Sequence, residues 1–296
     1  MPPATAHPPR SRHPIRVILY AWLLSIATWP VAGEGQTPVR TAARPANTPA
    51  TSATSATPTP PTPRWPDEQT AGNLICHATF PLAPLQPVLN ELGSLQQDLV
   101  SQLGVPAATE PAHVFLFHNR SFYENYVRRH FPRVGMRQAL FIKEGHAPGM
   151  IFAYHHRKVD VDIRHESTHA LLHGALPMVP LWLDEGLAEY FETPRSRRAE
   201  GSSHLRGVRW EARLGRVPDI RDLEALASME EMRGADYRDA WAWVHFMLHG
   251  PEAARKELRD FLGEIAARTP PGLLSKRLQR RIPRLNDAYL AHFRNF

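Results

Sequence analysis

The side chains best suited to chemistry gather in HESTHALLHGALPMVPLWLDEGLAEYFE, residues 165 to 192. Its first five residues, His165-Glu166-Ser167-Thr168-His169, follow the H-E-x-x-H pattern. On a helix, residues four apart share a face, so the two imidazoles can close on one divalent ion. That supplies half of a tetrahedral site. A catalytic zinc takes a third protein ligand and keeps one position open for water, and a carboxylate is a common third partner. The chain must therefore break after His169 and return an acidic side chain. Gly174, Pro177 and Pro180 supply the breaks, and WLDEGLAEYFE returns with Asp184, Glu185, Glu189 and Glu192.

The elements that must hold these residues are readable from hydrophobic period. From Asp160 or Asp162 through Leu172 the spacing is helical and acidic at its start, as the helix dipole favours. A second helix is expected from near Pro180 through Phe191. Upstream, Leu82–Gly104 places Val88, Leu92, Leu95, Leu99 and Leu103 on one helical face and ends on glycine. HVFLFHN (113–119) reads as a strand, and the helix after it is expected to start at Ser121, with Glu124 completing a capping box. ALFIKE (139–144) and GMIFAYHH (149–156), separated by GHAP, predict a hairpin. Beyond Phe191 lie an Arg-rich polar loop (195–207) and a helical tail. Strands early and helices late indicate an α+β domain.

The chain has 296 residues, a net charge of +6 and one cysteine. The apolar run Val17–Ala32 behind Arg10, Arg12 and Arg16 has the layout of a secretory signal peptide with a cut after Gly33. It is shorter than the roughly 18 apolar residues of a spanning helix, and an uncleaved N-terminal anchor is the second reading. Residues 34–66, rich in Pro, Thr, Ala and Ser, predict a disordered tether. The folded domain is then 67–296, with sheet and active-site helices in 67–194 and a mainly helical part in 195–296. Localisation is expected to be exported: periplasmic, cell-envelope or secreted. A lone thiol excludes an internal disulfide, and Cys76 reads as a small buried hydrophobe. The basic run KRLQRRIPR (276–284) lacks interleaved aromatics, so a solvated helix face is expected and no nucleic-acid partner.

HESTH followed by WLDEGLAEYFE resembles the gluzincin metallopeptidases, and most nearly the uncharacterised exported bacterial domains grouped with the peptidase MA-like clan. The specific match covers about thirty residues. The resemblance implies a zincin-like fold, a small mixed sheet with an active-site helix followed by helices, and a single Zn2+. It makes His165, His169 and Glu185 the metal ligands and Glu166 the general base of a hydrolase acting on a peptide or protein. Gly186, lacking a side chain, is expected to let the second helix approach the first.

Asp184 lies about 100° around the helix from Glu185, so both cannot face one ion, and its expected place is the surface or the helix N-terminus. Glu189, one turn after Glu185, is either a hydrogen-bond partner of a ligand histidine or a solvated residue. Glu192 is assigned no role. The resemblance favours a tyrosine or histidine downstream as oxyanion donor; Tyr237 leads over His245 and Tyr190, each of which reads equally as a packed aromatic. His155 and His156 face opposite sides of a strand end and cannot chelate together.

Aminopeptidases of this clan hold the substrate's amine with the Glu of a Gly-x-Met-Glu-Asn strand. Here Gly135-Met136 is followed by Arg137-Gln138 and Gly149-Met150 by Ile151-Phe152, so endopeptidase-like cleavage is expected, with the peptide paired to an exposed strand edge in GMIFAYHH. Two rivals stand beside the peptidase: a zinc-binding but non-catalytic envelope interaction module, and a basic envelope-binding protein whose H-E-x-x-H is accidental.

Overall fold

A computed structural model describes residues 64–145 and 147–296. The expected signal peptide and tether lie outside the described residues. Trp65–Phe296 belong to one compact unit, whose described residues open with strands β1 (Asp67–Ala71) and β2 (Leu74–Ala78). Then come α1 (Gln86–Leu103), β3 (Ala112–Phe117), α2 (Arg120–His130), β4 (Ala139–Ile142) and β5 (Met150–Tyr154). The site helices are α3 (Val159–Ala175) and α4 (Leu181–Phe191). Six helices follow: α5 (Leu205–Arg213), α6 (Ile220–Glu224), α7 (Gly234–His249), α8 (Glu252–Ala266), α9 (Leu274–Arg281) and α10 (Leu285–Asn295).

The five strands form one mixed sheet in the order β1-β2-β3-β5-β4, parallel between β2, β3 and β5 and antiparallel at both margins. Alternation decides its faces. Leu74, Cys76, Ala78, Ala112, Val114 and Leu116 enter the main core with the apolar stripe of α1. Phe117, Leu140, Phe152 and Tyr154 pack on the other face with Tyr123 and Val127 of α2. The 139–156 hairpin is present, pairing Ile142 with Met150. β5, however, is bonded on both sides, by β3 and by β4. It therefore has no edge to offer a peptide, and the margin of the sheet on this side is β4.

Local signals were partly displaced. Gly104 caps α1 in the left-handed region at φ 73°, as a terminal glycine should. α2 begins one residue before Ser121, because the Asn119 side chain accepts the Phe122 N–H at 2.9 Å and takes the cap. Gly174 lies inside α3, against Ala108, and the helix yields only at Leu176, before Pro177.

α3 has no apolar stripe. Residues Asp162 through Leu172 are buried on every side, the mark of a central helix enclosed all round. The sheet lies against it on one side and α4 on another, and α4 packs in turn on α7. Buried charges brace this layer. Arg164 bonds Glu91 of α1 at 2.7 Å, Asp160 at 3.1 Å and the Glu192 carbonyl at 3.4 Å. Arg198, inside the expected Arg-rich polar loop, is buried and bonds Asp98 of α1 at 2.9 Å while lying over the Phe191 ring. Removing one partner of such a pair strands the other charge and costs about 3–5 kcal/mol. In the basic run, Arg277 and Arg281 both bond Glu257, fastening α9 to α8.

Candidate metal centre

α3 and α4 run against each other so that three side chains, all 1 % exposed, point at one place. His165 Nε2 is 3.6 Å from Glu185 Oε2 and His169 Nε2 is 3.7 Å from Glu185 Oε1. Donor atoms of all three lie within 4.8 Å of one another. Two ligands at about 2.0–2.1 Å from a tetrahedral zinc are about 3.3 Å apart, so the gap is slightly open for one ion and too long for a hydrogen bond. His169 Nε2 is buried and has no hydrogen-bond partner among the described residues. Two imidazole nitrogens and a carboxylate, one nitrogen lacking any other use, fit a divalent zinc-type ion.

The far sides of both rings meet carboxylates. His165 Nδ1 and Glu192 Oε2 are 2.9 Å apart. Were His165 Nε2 to hold an ion, Nδ1 would carry the proton and donate. His169 Nδ1 stands 3.1 Å from Asp184 Oδ2. His173 Nε2 meets the same oxygen at 2.9 Å. Burial alone would raise the Asp184 pKa; the two imidazoles more than reverse this and hold the carboxyl well below the usual range. Asp184 lies in the first turn of α4, the helix N-terminal region that was one of its two expected places, and is fully buried beneath His169 rather than at the surface. Glu192, which drew no role from the sequence, supports His165. Glu189 Oε2 bonds His204 Nε2 at 3.0 Å, the partner it shows in place of the expected ligand histidine.

Gly186 also changes its assignment. A Cβ there would lie 2.7 Å from the Ala240 carbonyl oxygen and 2.9 Å from Val244 Cγ2. The missing side chain therefore lets α4 approach α7, on the side of α4 turned from α3. That contact sets the depth of α4 and so the reach of Glu185.

Glu166 is buried beside His165. A cavity of about 290 Å³ is bordered by Gln138, Asp162, Glu189, His204, Tyr237 and Glu192, the partner of His165. Tyr237, on the first turn of α7, also packs on Met229 and Met232. Half-buried Arg137, on the segment entering β4, feels Tyr237, Glu185, Glu166 and Glu230; burial lowers its pKa more than these groups raise it. In the sequence, Arg137 stands out only as a residue where an acidic amine anchor is absent.

The other tyrosine and histidine candidates turn into the core. His245 Nε2 meets the Ala199 carbonyl at 2.9 Å and its Nδ1 meets His292 Nε2 at 3.0 Å. Tyr190 OH is 2.7 Å from His249 Nε2. His156 Nε2 bonds Asp162 at 2.8 Å, and His155 packs edge-on to Phe80. Cys76 is buried, its thiol pushed up to about 12 by burial, and is not a nucleophile at neutral pH.

The family model described as a protein of unknown function, DUF1570, matches residues 161–272. No curated protein matches the chain. Among solved structures, a mutant of the M1 zinc metallopeptidase from Deinococcus radiodurans is similar at 17% identity and a TM-score of 0.40, covering 77% of this chain and 50% of that one. The same peptidase in a second crystal structure gives 17% identity, a TM-score of 0.38 and the same coverages. The chain thus spans half the length of the solved structures it matches.

Proposed function

We propose that this chain is an exported zinc-dependent peptidase in which His165, His169 and Glu185 hold one ion and Glu166 is the general base. The carrying observation is the convergence of two buried imidazole nitrogens on one buried carboxylate at 3.6 and 3.7 Å. Support for the alignment of those rings comes from Glu192 behind His165 and Asp184 behind His169.

A zinc ion held by His165, His169 and Glu185 would supply an acidified water and a positive charge that polarises a substrate carbonyl. Glu166 takes a proton from the attacking water and delivers it to the departing amine nitrogen as the C–N bond breaks. The water oxygen ends in the new carboxylate. In this reading Tyr237, which borders the cavity, donates its O–H to the oxyanion. The scissile segment lies along the margin strand β4, whose entry residue Gln138 also borders the cavity. With Arg137 and Gln138 where the aminopeptidase resemblance expects an acidic amine anchor, internal bonds are the favoured substrates. Export rests on the sequence of residues 1–33; among the described residues no helix is long and apolar enough to cross a membrane.

The test is cleavage profiling of the full chain on a diverse peptide library, with zinc and with a chelator, beside Glu166→Gln. Chelator-sensitive cleavage that disappears in a Glu166→Gln protein with undiminished zinc content is expected. Cleavage indifferent to chelator and to Glu166→Gln overturns the proposal, and stoichiometric zinc with no cleavage by either protein turns it to the non-catalytic module.

A further inference from the structure

Helix α5 shows a surface that the peptidase reading does not use. Leu205, Val208 and Ala212 are buried and fasten it to α7 and α10. Stepping 100° per residue, Arg209, Arg213, Arg206, Trp210 and Leu214 then follow one another around the outward side. Trp210 is 61 % exposed and Leu214, at the helix end, 54 %. They are two of the four exposed large hydrophobic residues among the described residues, and they sit one turn apart. Glu211, the acidic residue of this helix, points away and pairs with Arg238 of α7 at 3.2 Å. Arg206, Arg209 and Arg213 border a cleft of about 350 Å³ with Glu200, Ser202 and Leu205. Three guanidinium groups there face one carboxylate, and Arg216 extends the exposed positive charge past the helix end.

We infer that α5 is a docking surface for an anionic phospholipid bilayer, with Trp210 and Leu214 entering the headgroup–acyl boundary and Arg206, Arg209 and Arg213 taking the phosphates. An indole amid exposed aliphatic and cationic side chains matches the composition of that boundary, where Trp settles at the headgroup level and arginine keeps its charge at the phosphates while its stem lies along apolar surface. A polynucleotide would use the arginines but leave Leu214 in water. A second copy of the chain would have to neutralise three arginines with an acidic patch, and α5 offers none. The inference is independent of the metal centre.

The test uses the full chain carrying Gly207→Cys, labelled with an environment-sensitive fluorophore; a side chain at Gly207 meets nothing within 4 Å, and the native Cys76 is buried. Because the reporter sits on α5, attachment through any other segment leaves it unshifted. Vesicles of phosphatidylcholine with phosphatidylglycerol are expected to blue-shift the label, and phosphatidylcholine alone to leave it unchanged. Each arginine near an anionic surface contributes about a fivefold factor in partitioning, so Arg206→Ala with Arg213→Ala weakens the response roughly twenty-five-fold. Trp210→Ala with Leu214→Ala abolishes the blue shift. An unshifted label on anionic vesicles overturns the inference, as does a shift produced equally by neutral vesicles, or by duplex DNA or raised protein concentration in their place.

Discussion

His169 Nδ1 stands 3.1 Å from Asp184 Oδ2, the oxygen that His173 Nε2 also meets at 2.9 Å. Asp184 and Glu185, adjacent in sequence, therefore address opposite edges of one imidazole. Asp184 meets Nδ1, and Glu185 faces Nε2, the nitrogen proposed to bind zinc. Asp184→Asn weakens the negative charge behind His169, and removal of such a partner typically lowers metal affinity 10- to 100-fold. Chelator competition on the full chain measures this. Glu192→Gln should cost less, since the Glu192 side chain is 20 % exposed and water can stand in for it. Unchanged affinity in Asp184→Asn removes Asp184 from the site.

The helices that carry the centre were legible because their signals are local: helical period, an acidic first turn, and prolines on either side of the α3–α4 turn. The 139–156 hairpin was legible for the same reason. β1 and β2 were not read. DEQTA is polar and LICHA only five residues long, and β2 gains its place from parallel pairing with β3 across the whole of α1, a relation with no local signature. Helix geometry separated Asp184 from Glu185, and the two carboxylates do meet opposite edges of the His169 ring. Its place in the first turn of α4 was among the expected ones for Asp184; its burial under His169 was not, because an angle around α4 says nothing about which neighbour lies there. Gly186 failed likewise: its partner Ala240 is on α7, more than fifty residues on, and only the assembled helices show that α7, not α3, needs the space.

Gly186→Ala pits two effects against each other. Alanine gains about 1 kcal/mol of helix propensity over glycine, while overpacking costs about 1–3 kcal/mol. The 2.7 Å contact is with a backbone oxygen, which cannot swing aside as a side-chain end can, so the cost wins. A fall of several degrees in Tm is expected, at roughly 2–4 °C per kcal/mol for a domain of this size. A Tm equal to or above that of the unmodified chain shows that α4 and α7 separate without penalty.

Tyr237→Phe keeps the ring against Met229 and Met232 and deletes only the hydroxyl. With the O–H donating to the oxyanion, kcat falls about 100- to 1,000-fold while KM and zinc content hold. An unaltered kcat returns Tyr237 to a purely packing role.

The buried histidines of α7 and α10 predict acid sensitivity. His245 donates its Nε2 proton to the Ala199 carbonyl, so Nδ1 is left to accept from His292 Nε2. Both rings are neutral in this arrangement. Burial holds His245 down to about 3 and His292 down to about 4, and lowers His249, beside which Arg255 adds positive charge. Each folded-state pKa is below the ordinary 6.5, so the unfolded chain binds more protons as pH falls through that value, and stability declines toward the folded pKa. The slope from His245 approaches about 1.4 kcal/mol per pH unit; the partly exposed His249 and His292 add less. Between pH 6.5 and 5, Tm should already drop. His245→Gln should lower Tm at pH 7, through lost packing and hydrogen bonds, yet flatten the decline below it. A Tm constant from pH 7 to 5, or a His245→Gln profile as steep as that of the unmodified chain, contradicts the assignment.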